Sequence, residues 1–212
     1  MKIIRRSSFT QTPWKNGGGI THEAIRVPEG AGAFRWRVSV AEIHRSGPFS
    51  DFAGYRRFMV LLRGDGVRLS CDGRERAVLR DPGDATQFDG AAATSCTLLG
   101  GSCWDLNLMV SRSMEGARVR VQRLERPLPL DPGPGLLLAL AIEGAVTANC
   151  LDGRSVALGE WDLAVVTARD GALLSPVVTA LAGEAGRRSG EAGRPAPLVF
   201  LATLDDNSTQ AF

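Results

Sequence analysis

What the chain lacks narrows its chemistry before anything it contains is considered. Histidine occurs twice in 212 residues, at His22 and His44. Transition metals are held by several nitrogen, oxygen or sulfur donors converging on one point, so this inventory argues against a metal site. Cysteine occurs four times, at Cys71, Cys96, Cys103 and Cys150, never with CxxC spacing. That excludes the usual zinc and thiol-redox patterns and leaves small, mostly buried apolar residues. No apolar run approaches the roughly 20 residues that span a bilayer. The start, MKIIRRSSFTQ, carries neither the apolar segment nor the small-residue cleavage site of a secretory leader. No membrane is therefore expected as partner, and the expected location is cytoplasmic. A basic stripe is missing too: the net charge is only +2, with arginines scattered among acids, so nucleic acid is not expected either. Lysine is the scarcest charge of all, because of the 25 Lys and Arg residues only Lys2 and Lys15 are lysine.

What is present is alternation with period two, the mark of strands with two unlike faces. In FRWRVSVAEI, Phe34, Trp36, Val38 and Val40 point one way and Arg35, Arg37, Ser39 and Ala41 the other. In CWDLNLMV, Trp104, Leu106, Leu108 and Val110 oppose Asp105, Asn107 and Met109. Between them lie short β-type runs cut by Gly64, Gly66, Gly73 and DPGD, which is turn chemistry throughout. No long helical periodicity occurs, and LLLALAIEG reads as a strand from its spacing to turn residues. The second half repeats the first: Gly64 and Gly73 recur as Gly144 and Gly153, and DPGD at 81–84 corresponds to GEWD at 159–162. QRLERPLPLDPGPG, rich in Pro and Gly, suits the crossover between them, and AGEAGRRSGEAGRPAP, 182–197, has too little apolar content to fold and is expected to be a mobile loop before a last strand, LVFLATL. The fold class expected is all-β, two tandem cupin-like jelly-roll barrels (a bicupin). The expected division is an N-terminal unit, 1–116, holding the ligand pocket, and a degenerate C-terminal unit, 117–212.

Cupin metal sites follow a spacing of G, five residues, HxH, three or four residues, E, six residues, G. Anchored on Gly47, that spacing places Ala53, Tyr55 and Met59 at the ligand positions; anchored on Gly64, it places Arg57 where the glutamate belongs. Neither register supplies a ligand, and the second half has no histidine. Neither a metal nor any other cofactor is expected.

Four stretches in order, WKNGGGITHE, FRWRVSVAEI, GPFSDFAGYRRFMVLLRG and WDLNLMVSR, resemble the HutD/Ves family of bicupins, most densely over residues 12–112. The resemblance implies a two-unit cupin fold and an association with bacterial histidine utilisation, in which HutD proteins bind a pathway intermediate and restrain the pathway. It brings no catalytic activity with it. Two positions depart from the family pattern: Arg56 stands where an acid usually precedes the arginine, and Leu106 stands where DFN has phenylalanine.

WKNGGG then acquires a physical reading. Glycines let the backbone approach a ligand and offer it N–H groups unobstructed by Cβ, Trp14 anchors the segment, and Lys15 and Asn16 face the barrel mouth. A nucleotide phosphate loop is rejected, since no GK[ST] ending and no helix follow. Glu23, Arg37, Ser39, Arg57, Asp105 and Asn107 complete the expected ligand-binding set. Arg37 suits a bidentate clamp on a carboxylate, Lys15 a second cationic contact, and the two asparagines amide or hydroxyl groups. Glu23 and Asp105 serve equally as partners that hold these cations. His22 reads as a packing residue and His44 as structural or solvated.

Two function classes follow. One is a non-catalytic binder of a small anionic metabolite, with N-formylglutamate and urocanate as ligands and sensing or restraint of histidine catabolism as the role; no catalytic residues are then assigned. The other is a metal-independent cupin enzyme, an isomerase or hydrolase of a related small acid, using Glu23, Asp105 or His22 as general acid or base. A homodimer is the one assembly considered.

Overall fold

The computed structural model describes residues 1–167, 169–177 and 195–205. Its first strands are β1 (Lys2–Ile4), β2 (Thr10–Pro13), β3 (Gly19–Val27), β4 (Trp36–Ile43), β5 (Gly47–Pro48) and β6 (Tyr55–Arg63). Then come β7 (Val67–Cys71), β8 (Arg74–Leu79), β9 (Ala85–Asp89), β10 (Thr94–Leu98) and β11 (Cys103–Ser111). The second half contributes β12 (Arg118–Arg123), β13 (Leu128–Leu130), β14 (Leu136–Glu143), β15 (Val146–Cys150), β16 (Ser155–Leu158), β17 (Leu163–Thr167), β18 (Ala172–Pro176) and β19 (Leu198–Leu204). Among the described residues the only helical element is a 3-10 turn, Arg6–Ser8. The protein is all-β. No helix among these residues is long and apolar enough to cross a membrane. Apart from residues 195–197, the segment that its composition marks as mobile lies outside the described residues.

The strands form four sheets, ordered β2-β3-β4-β11-β6-β9, β5-β10-β7-β8, β1-β17-β14-β19-β12 and β13-β18-β15-β16. The repeat legible in the glycines is a repeat of pairing. In the first half β6 lies between β11 and β9, and β7 between β10 and β8; in the second, β14 lies between β19 and β17, and β15 between β18 and β16. Gly64 and Gly144 follow the matching strands β6 and β14 with φ of +111° and +75°, a backbone region in which a side chain is strained. One strand crosses between halves: β1, at the N-terminus, pairs with β17, Lys2 opposite Val165.

Side-chain contacts order the sheets into layers. The two large sheets pack back to back through one cluster, with Trp36, Val38, Val40, Leu106 and Leu108 from the first half meeting Leu138, Leu140, Val165 and Phe200 from the second. On the outer side of the five-stranded sheet, Leu137, Ala139, Val199 and Leu201 pack against Val146, Ala148 and Leu174 of its four-stranded partner. This accounts for LLLALAIE, whose unbroken apolar run covers a strand buried on both faces. On the outer side of the six-stranded sheet the corresponding cluster is smaller, built on Met59, Leu61, Val67, Leu69 and Cys96. There the layer holds a cavity.

Candidate functional site

The cavity opens on the face of the six-stranded sheet turned away from the central core. Alternation along β4 sends Trp36, Val38 and Val40 into that core and leaves Arg37, Ser39 and Ala41 on the other face; β11 does the same with Asp105, Asn107 and Met109. These residues line a cavity of about 710 Å³. Antiparallel register sets them in rows. Glu23 lies opposite Ser39 and Ser39 opposite Asn107, while Met109 lies between Arg37 and Arg57. Thr21, Ala41 and Asp105 form the next row.

The mouth is built by the β2–β3 hairpin, whose loop is WKNGGG. Trp14 is half-buried, donating from Nε1 to Thr21 Oγ1 at 2.8 Å and meeting the Phe49 ring edge-on at 6.0 Å. Lys15 and Asn16 are exposed at the cavity rim. The glycines act differently from the sequence reading. Gly17 N–H donates to Trp14 O at 2.9 Å and Gly18 N–H to Asn16 Oδ1 at 2.9 Å, so these groups close the loop on itself rather than facing a ligand. Gly17 has φ +66°, and a Cβ on Gly19 would strike Glu42 O and come within 3.2 Å of the Trp14 ring. Two of the three glycines are therefore required by the turn and by close packing, and the Asn16 side-chain oxygen is spent within the loop.

The inner wall carries Arg57, Asp105, Asn107 and Ser39, all at most 5% exposed. Phe49, Phe52 and Phe88 surround the Arg57 guanidinium, with ring centroids 5.2, 5.5 and 4.9 Å from its carbon. Its remaining hydrogen bond is a long one to Ser50 O, 3.4 Å. Burial lowers the Arg57 pKa to about 10, partly offset by the charge of Asp105. Burial raises the Asp105 pKa to about 7, against the opposing pull of Arg57 and a hydrogen bond from the Asn107 side chain. Arg57 Nε, Asp105 Oδ2 and Asn107 Oδ1 are buried without a hydrogen-bond partner among the described residues.

Nearer the mouth, Arg37 Nε donates to Glu23 Oε2 at 2.5 Å, with side-chain exposures of 15% and 29%. Among the described residues no three His, Cys, Asp or Glu side chains stand together as a metal-binding group. Every residue of the expected set, Trp14, Lys15, Asn16, Glu23, Arg37, Ser39, Arg57, Asp105 and Asn107, lines this cavity. His22 does not. It projects from the opposite face of β3, its ring 5.2 Å from that of Trp104, and burial lowers its pKa. His44 is 3.1 Å from Glu42 at the surface. The sequence reading missed the aromatic wall, Phe34, Phe49 and Phe52, and a further cation, Arg26. The signal for the wall was GPFSDF, whose two phenylalanines lie in a segment with too little period to assign a facing.

The model of the HutD family matches residues 6–182 of the chain. A protein from the hutC 3′ region of Pseudomonas putida is 39% identical over 164 residues, 76% of this chain and 84% of that relative. Protein Ves of Citrobacter koseri is 37% identical over 109 residues, 51% of this chain and 56% of that relative. Among solved structures, a conserved protein of unknown function from Pseudomonas aeruginosa PAO1 superposes with a TM-score of 0.80 at 31% identity, covering 97% of this chain and 98% of that one. HutD from Pseudomonas fluorescens SBW25, in a formate condition, gives 0.71 at 27% identity over 96% and 98%. A cupin 2 conserved barrel domain protein from Leptotrichia buccalis gives 0.58 at 12% identity over 96% of both chains, a likeness of fold.

Proposed function

Because the chain belongs to the HutD family, we propose that it is a non-catalytic binding protein for a small carboxylate metabolite, sensing or restraining histidine catabolism through N-formylglutamate or urocanate. The observation that carries this reading is the charge arrangement of one cavity. Lys15, Arg26, Arg37 and Arg57 line it against two acids, Glu23 and Asp105, so its cations outnumber its carboxylates. Arg37 keeps part of its surface at the mouth and is held by Glu23, which suits a planar fork receiving a carboxylate. The wall beside it is aromatic, which suits a planar or chain-like acid. The location of the Pseudomonas putida relative in the hutC 3′ region supports the link to histidine use.

In this reading the four sheets are two cupin units of one bicupin, divided near residue 116, and only the first unit takes ligand. The second has aliphatic residues where the first has its polar wall: Leu137 stands as far before Gly144 as Arg57 stands before Gly64, and Val199 and Leu201 sit on β19, the counterpart of β11. A metal-independent enzyme is the second reading. What favours it is Asp105, whose pKa of about 7 lies in the range of a general acid or base at neutral pH.

Titration calorimetry with N-formyl-L-glutamate and urocanate, with succinate and histidine as controls, tests the first reading. A site that binds neither pathway compound, or binds succinate equally well, is not this sensor. Release of formate or loss of the urocanate chromophore with turnover moves the assignment to the enzyme.

A further inference from the structure

Asp105 and Asn107 are two residues apart on β11 and share its cavity face, 1% and 4% exposed. The Asn107 side chain lies close enough to Asp105 to pull its pKa down. Two oxygens there, Asp105 Oδ2 and Asn107 Oδ1, are buried and have no hydrogen-bond partner among the described residues. A buried acceptor left unpaired costs about 1–3 kcal/mol, and two side by side are not explained by packing. Among the described residues neither nearby guanidinium donates to these two oxygens: Arg57 Nη1 reaches Ser50 O inside its phenylalanine cage while its Nε stays unpaired, and Arg37 Nε is bonded to Glu23.

The cavity is therefore graded. Its rim is cationic, at the exposed Lys15 and the partly exposed Arg37, and its floor offers oxygen acceptors. A plain dicarboxylate would set oxygens against oxygens at the floor. An ammonium would arrive beside Arg57, whose charge already balances that of Asp105. A neutral N–H meets neither objection.

We propose that Asp105 Oδ2 and Asn107 Oδ1 form an N–H receptor that selects acids carrying a neutral N–H, N-acyl amino acids or imidazole acids, bound with the carboxylate at the rim and the N–H at the floor. The proposal rests on the reading of the cavity as a site for small acids. It makes Asp105 and Asn107 specificity-determining residues and gives the ligand a single orientation.

Matched probes that lose the N–H and keep the carboxylate test it on the full chain by titration calorimetry: N-formyl-L-glutamate against N-formyl-N-methyl-L-glutamate, and urocanate against 3-(1,3-oxazol-4-yl)acrylate, which retains the second ring nitrogen. In any pair that binds, the N–H member is expected to bind about 10- to 100-fold more tightly. Asn107→Leu, which removes one receptor oxygen, is expected to bring that ratio down toward unity. Equal affinities within each pair on the unaltered protein overturn the receptor and leave the acid-binding site standing. Failure of all four compounds to bind removes the acid-binding site and the receptor together. The comparison on the unaltered protein decides the matter even where Asn107→Leu fails to fold.

Discussion

Arg37 and Glu23 meet diagonally across the β3–β4 pair, Arg37 Nε donating to Glu23 Oε2 at 2.5 Å. Because Nε is the nitrogen that Glu23 holds, the end of the fork, with its two terminal nitrogens, is directed by a fixed neighbour. A carboxylate met end-on by such a fork gains two parallel charge-assisted hydrogen bonds.

Arg37→Ala is accordingly expected to abolish ligand-induced stabilisation without unfolding the protein, since this side chain belongs to the cavity and to none of the apolar clusters. A ligand held at about 100 times its Kd adds roughly 2.7 kcal/mol, a melting shift of about 5 to 11 °C for a chain of this size. Thermal melts with and without N-formyl-L-glutamate or urocanate check it. A variant that keeps the whole shift removes Arg37 from the site.

Asp105 gives a pH dependence whose sign follows from its burial. Its folded pKa, about 7, lies above the ordinary 3.8, so between those values the folded state holds a proton that the unfolded chain has released. Stability is then lost as pH rises through this window, with the loss complete above pH 7. Three units correspond to an upper bound on the order of 4 kcal/mol. His22, whose pKa is lowered, has the opposite sign, so the comparison must be with Asp105→Asn, which keeps His22. Denaturant melts from pH 4.5 to 8 are expected to show a downward slope in the unaltered protein relative to the variant. Parallel curves would mean that Asp105 is ionised throughout.

The glycines of the mouth loop are expected to differ in cost. Gly19→Ala drives a methyl into Glu42 O and the Trp14 ring and is expected to lose about 1–3 kcal/mol. Gly17→Ala, at φ +66°, is expected to lose about 1 kcal/mol. Gly47→Ala, with open space around it, is the control and is expected to be neutral. Chemical denaturation ranks the three.

Arg6 lies on the far side of the sheet from the cavity, its guanidinium carbon 3.9 Å from the ring centroid of the buried Trp161 and 5.7 Å from that of Trp104. Arg6→Ala is expected to cost about 0.5–2 kcal/mol of stability and to leave ligand affinity unchanged. A fall in affinity as large as that of Arg37→Ala would show that the two faces of β11 are coupled.

The site was legible in the chain because β4 and β11 each separate two environments. Arg37 and Ser39 among Trp36, Val38 and Val40, and Asp105 and Asn107 among Trp104, Leu106 and Leu108, can be read off as a polar face by period alone, whereas Phe34, which the same period sets beside Trp36, precedes β4 and lines the cavity instead. The same logic weakens where both environments are apolar, and LLLALAIE shows no alternation because the cores on its two sides want the same residues. Contacts made at a distance left no local trace. Nothing near Arg57 announces Phe88 as one wall of its cage, and nothing in Lys2–Ile4 announces β17, more than 150 residues away, as its partner. Three glycines in a row read equally well as a ligand cradle or a tight turn until Glu42 and Trp14 are seen against Gly19.

The back-to-back arrangement of the two large sheets has a consequence for how binding is felt. Trp36 and Leu106 of the half with the cavity share one apolar cluster with Leu138 and Phe200 of the half without it, so neither large sheet can open without uncovering the other. Amide hydrogens of β14 and β19 should thus exchange more slowly once the cavity is filled, although no ligand atom comes near them, and the aliphatic half becomes a remote reporter of occupancy.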